Sequence, residues 1–157
     1  MSGRRPGGRG RVARYPAPGK LPRVRERAAA RVLLDTHAFL WWVGDDPRLS
    51  DTARRTLIAS DSELFLSTAS AWEIAIKVGL GRLTFKVELE RFIADHLQAN
   101  RITPLPITLE HALYVRHLPD HHRDPFDRLL VAQSILEDLP IVTGDRTLAR
   151  YDIEVVW

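Results

Sequence analysis

The chain of 157 residues contains no cysteine, which excludes disulfides, zinc–thiolate centres and thiol nucleophiles together. Nor does it contain an apolar run approaching the roughly 18–20 residues that span a bilayer. Its basic N-terminus is not followed by the continuous apolar stretch of a secretory signal. A cytoplasmic protein without membrane contact is therefore expected. No Gly-x-Gly-x-x-Gly follows the first strand-like segment, so a dinucleotide-binding enzyme is a poor fit. Internal repeats are absent.

The charge that is present is unevenly spread. With 45% hydrophobic and 27% charged residues, the balance is that of one soluble globular domain with a sizeable core. Residues 1–31 carry ten basic side chains against the single acid Glu26, a net +9. The whole chain is only +3, so residues 32–157 carry −6. An acidic body that acts on a polyanion needs cations to mediate the contact.

Residues 1–30 form a basic extension rich in Gly, Pro and Arg, with too little apolar surface to offset ordering entropy, and disorder is expected there. An upstream extension from a misplaced start, a solvated tail and an Arg-rich arm for phosphate backbones all fit that composition. The folded domain is expected over residues 31–157.

Within it, Val32–Leu34, Leu64–Leu66, Ile102–Pro104, Pro140–Thr143 and Glu154–Val156 read as short strands. Helices are predicted over 37–43, 50–60, 70–78, 87–98, 108–117 and 125–137, with a helical turn at 145–150. Ser70 with Glu73 three residues on has the spacing of a capping box. Alternating apolar strands and helices predict an α/β fold, a parallel sheet of four to five strands flanked by helices.

In such sheets ligands bind at the carboxyl ends of the strands. Asp35 follows the first strand, Asp145 follows the fourth with one Gly between, and Glu73 and Asp127 fall near helix starts. Four acids converging there repel one another and raise each other's pKa, a conflict that divalent cations resolve. Oxygen-only ligands without His or Cys favour Mg²⁺ or Mn²⁺, and paired ions of this kind support in-line phosphodiester cleavage by metal-activated water. On position alone, capping and the helix dipole explain Glu73 and Asp127 somewhat better than ligation does, and Asp145 before Arg146 suits a helix N-cap. Asp35 is harder to explain that way, because it directly ends a buried apolar run.

Four blocks bear on the choice: Leu33–Trp42 (LLDTHAFLWW), Ser70–Lys77 (SAWEIAIK), His121–Leu130 (HHRDPFDRLL) and Val142–Arg146 (VTGDR). In order and spacing they resemble PIN-domain proteins, specifically the VapC-type toxins of type II toxin–antitoxin systems, over essentially all of residues 32–157. The resemblance implies a PIN fold and a hydrolase, a metal-dependent endoribonuclease using Mg²⁺ or Mn²⁺. Asp35, Glu73, Asp127 and Asp145 would be its catalytic, metal-binding quartet. It further implies supporting hydroxyls at Thr36 and Thr143, an RNA substrate, a cognate antitoxin and a homodimer. Asp124, three residues before Asp127, reads as an outer acid or a cap. A PIN nuclease of RNA processing without an antitoxin, and an RNA-binding module with a degenerate metal site, are the alternatives.

His121 and His122 read as a polar loop near the substrate path rather than a metal site, since no third His stands at ligand spacing. His37 suits a helix start or a substrate contact. Arg128 and Arg146 suit phosphate or neighbouring carboxylates. For Trp41, Trp42 and Trp72, core packing is favoured over an interface.

Overall fold

The computed structural model describes residues 30–157, and the extension expected over residues 1–30 lies almost entirely outside the described residues. Five strands form one parallel sheet: β1 (Arg31–Leu34), β2 (Glu63–Ser67), β3 (Ile102–Leu105), β4 (Ile141–Val142) and β5 (Val155–Val156). Their order is β3-β2-β1-β4-β5. The chain steps outward from β1 to β3, then returns to lay β4 on the other side of β1. That reversal makes the β1–β4 boundary the switch point of the sheet, where a crevice opens at the strands' carboxyl ends.

Alternation along β1 divides the core between the two faces. Val32 and Leu34 join Leu64, Leu66 and Val142 in one cluster under α1 (Thr36–Val43), α2 (Asp51–Ile58) and α4 (Leu89–Ala99). Leu33 and Ile141 point the other way, against Leu130 and Val131 of α6 (Pro125–Glu137). Leu33, Leu34, Phe39 and Ile141 are fully buried, so truncating any of them to Ala should cost about 2–5 kcal/mol.

Helix starts follow local chemistry. Asp35 and Ser50 cap α1 and α2. Asp124 caps α6, with Pro125 at the first helical position, where its missing N–H is no loss. Thr108 caps α5 (Leu109–Tyr114) in a capping box closed by the buried His111, and a short 3₁₀ turn over Val115–His117 completes the segment predicted as one helix. The capping box expected at Ser70 is not formed. Ser67 caps α3 (Thr68–Gly79), its hydroxyl accepting from the Ala69 N–H at 3.0 Å. Ser70 therefore lies inside the helix, and Glu73 belongs to its second turn.

Of the three tryptophans read as core, Trp41 and Trp42 pack against the first cluster, and the Trp42 Nε1–H donates to Asn100 Oδ1 at 3.0 Å. Trp72 does not follow that expectation. It is 58% exposed and touches Phe126 edge-on across α3 and α6, on the helix face it shares with the exposed Ile76 one turn on. No described helix is long and apolar enough to cross a membrane.

Candidate active site

Asp35 leaves β1 at the switch point and is buried. Its Oδ1 accepts from the Ala38 N–H at 2.6 Å, so one carboxylate both caps α1 and faces the crevice. Burial raises its pKa, partly offset by the Thr143 hydroxyl, the Ala38 N–H and His37, while Asp145 adds a further upward push. Thr143, buried at the end of β4, also accepts from the Asp145 N–H at 3.0 Å. Its hydroxyl thus joins two of the four acids.

Glu73 reaches the same region from α3. Thr36 Oγ1 donates to its Oε2 at 2.6 Å, and Lys77, one turn on, pairs with Oε1 at 2.7 Å. Both oxygens are held by the protein, which removes helix capping as the account of this residue.

Asp127 is also strongly perturbed. Burial, then Asp124, Glu73 and Asp35, push its pKa up to about 7 against the lowering influence of His122. For Asp145 burial acts upward too, but the Thr147 N–H and His122 outweigh it and hold the pKa below its ordinary value. Asp145 Oδ1 accepts from that N–H at 2.8 Å. The Gly between Thr143 and Asp145 permits a close packing: a Cβ at Gly144 would lie 2.7 Å from the Trp157 ring.

The structure brings Asp127 and Asp145 together with a residue that sequence reasoning had left in a polar loop. His122 Nε2 lies 3.0 Å from Asp145 Oδ2 and 3.3 Å from Asp127 Oδ2. Ligand atoms of these three residues all lie within 4.8 Å of one another. Asp35 and Glu73 stand outside that tight group but interact electrostatically with it. Asp124 turns its carboxylate back to the Phe126 and Asp127 N–H groups at 2.8 and 3.2 Å, the geometry of a cap. The pair His121-His122 carried the only available sequence signal for the third member, and only folding separates the two: His121 packs on Tyr151 instead.

Among the described residues no Lys or Arg pairs with Asp35, Asp127 or Asp145. Clustered acids, two of them (Asp35 and Asp127) with raised pKa values, together with mostly oxygen donors, fit a hard divalent cation. The donor chemistry alone leaves the family open. A family model described as PIN domain matches residues 32–154. The chain belongs to the PIN-domain family.

Two relatives give that membership scale. This PIN domain is 32% identical over 123 residues to Ribonuclease VapC22 of Mycobacterium tuberculosis, covering 76% of this chain and 91% of that protein. Its fold resembles a chain in the crystal structure of VapBC2 from Rickettsia felis bound to a DNA fragment from their promoter. That match has a TM-score of 0.61 at 16% identity, over 80% of this chain and 96% of the other. The expected PIN-like α/β fold is thereby borne out, with five strands.

Proposed function

We propose that this PIN domain is a metal-dependent endoribonuclease, the toxin of a type II toxin–antitoxin pair. The observation that carries the reading is the meeting of Asp35, Asp127 and Asp145, which pair with no Lys or Arg among the described residues, with Glu73 beside them at the switch point of the sheet. Kinship with a ribonuclease over most of the chain supports it.

Asp35, Asp127 and Asp145 would hold Mg²⁺ or Mn²⁺, with Glu73 completing the shell or orienting water. A divalent cation bound there supplies Lewis-acid charge for the phosphate and a lowered pKa for water. The chain's own residues set up the rest. Thr36 and Lys77 fix Glu73, and Thr143 aligns Asp35 with Asp145. With its pKa pushed up to about 7, Asp127 is only partly ionised near neutral pH, so cation binding there would be linked to proton release.

Beside the acids runs a groove of about 450 Å³, lined by His37, Leu40, Trp41, Lys77, Phe85 and Phe92 among others. Lys77 belongs both to this groove and to the Glu73 pair. An antitoxin segment seated in the groove would lie against the site, which suits an inhibitory partner. The exposed apolar residues Trp72 and Ile76 on α3 and Leu109 and Leu113 on α5 suit the interface of a homodimer.

Mixed tRNA and rRNA incubated with wild type and Asp35→Ala in Mg²⁺, Mn²⁺ or EDTA test the activity. Discrete cleavage that needs metal and disappears in the variant is expected. Identical behaviour of the two proteins, both inert or both cutting, overturns it. Co-purification with the product of a small adjacent reading frame tests the antitoxin.

A further inference from the structure

His122 is anchored at every polar group it has. Its N–H donates to the Tyr151 hydroxyl at 2.9 Å, and its carbonyl accepts from Arg128 Nη1 at 3.4 Å. Nδ1 accepts from the Asp124 N–H at 3.0 Å, and Nε2 faces Asp145 and Asp127. Arg128 fastens the same loop by donating to the carbonyls of Val115, Leu118 and Pro119. A loop secured at so many points is built to hold one side chain in one orientation.

That orientation assigns the imidazole's proton. A ring nitrogen that accepts a backbone N–H has committed its lone pair, so the hydrogen of the neutral ring resides on the other nitrogen. Nε2 therefore presents an N–H that donates to Asp145 Oδ2 at 3.0 Å and lies 3.3 Å from Asp127 Oδ2, and no lone pair to a cation between them.

We infer that His122 is a positioning residue of the carboxylate site, its Nε2–H holding Asp127 and Asp145 at cation-binding separation without itself ligating the cation. The inference rests on the metal-dependent reading above. Asp127 is carried by α6 and Asp145 by the loop after β4. Among the described residues, His122 is the group recorded in contact with both. Without a donor between them, the two carboxyl groups share no partner that fixes their separation, and once both are ionised they repel, so cation binding must first draw them together. Each carboxylate oxygen has a further lone pair, so accepting from Nε2–H leaves capacity for a ligand bond. Outer partners of this kind commonly govern affinity by 10–100-fold.

Three variants separate the two ends of the ring. In His122→Asn the amide oxygen can replace Nδ1 as acceptor for the Asp124 N–H, but nothing reaches the carboxylates. In His122→Gln the amide N–H reaches the Nε2 position, while the loop contact is lost. His122→Ala loses both. Mn²⁺ binding is read from the loss of the free aqueous Mn²⁺ signal in electron paramagnetic resonance, with thermal unfolding as the check on folding.

Gln is expected to bind within about threefold of wild type, and Asn and Ala about tenfold more weakly or worse. Should Ala not fold, the Asn–Gln contrast decides alone. Equal binding by Asn and wild type, or Gln as weak as Asn, overturns the inference, as does a directly bonded ¹⁴N coupling in pulsed spectra of Mn²⁺-loaded wild type. Those outcomes leave the metal-dependent reading standing. Wild type that binds no Mn²⁺ removes that reading, and this inference with it.

Discussion

Asp35 and Glu73 are held by regular elements and short bonds, through the α1 cap, the Thr36 hydroxyl and the Lys77 ammonium, whereas Asp127 and Asp145 meet through an imidazole carried on a loop. The first pair is fixed by the sheet and by two helices packed on it. The second depends on a loop returning to the same edge, and its members are pushed in opposite directions: Asp127 toward the neutral form, Asp145 toward the charged one. The contrast suggests a division of labour in which one half is a rigid anchor and the other takes up and releases charge.

The sharpest break in that comparison is Asp127→Asn. Losing one carboxylate of the proposed cation site should remove several kcal/mol of charge stabilisation, which is about a thousandfold in cleavage rate. The same change should stabilise the metal-free protein at alkaline pH. Burial raises the folded pKa of Asp127 from its ordinary 3.8 to about 7. Its contribution to stability is therefore complete below about pH 4 and is lost as pH rises through 7. Melting in EDTA should show wild type losing ground to the variant between pH 5 and pH 8. A constant difference across that range would contradict the assigned shift.

Thr36→Val probes the rigid half. It removes the 2.6 Å bond to Glu73 but leaves the Lys77 pair, so turnover should fall about tenfold with the fold intact. Turnover equal to wild type would mean that Lys77 alone orients Glu73.

The smallest effect concerns stability alone. Ser67→Ala removes the α3 cap, worth about 1 kcal/mol, and should lower Tm by about 3–6 °C for a domain of this size. Ser70→Ala should cost nothing comparable, because its buried hydroxyl has no hydrogen-bond partner. Equal losses would restore the capping box expected from the spacing of Ser70 and Glu73.

That misread cap shows where sequence reasoning stopped. The strands were legible because Val32–Leu34 and Ile141–Val142 are apolar on both faces, as buried parallel strands must be. Asp35 stood out for the same reason, being an acid that ends such a run. Ser67 was hidden because two serines three residues apart offer the same cap chemistry, and only the exit of β2 decides between them. Trp72 lies one turn before Ile76 on the exposed face of α3, and an aromatic side chain there reads as core until the packing of that helix is known. His122 was seen but not understood. Its role depends on Tyr151 and Arg128 securing the loop, contacts 29 and 6 residues away in sequence, and no local pattern carries that information.

Asp35, Glu73, Asp127 and Asp145 are proposed to form a cation site. Crystals soaked in Mn²⁺ and measured for anomalous scattering test it directly. A peak within ligand distance of Asp35, Asp127 and Asp145 is the expected result. No peak there at saturating Mn²⁺, or one held by other residues, would contradict it.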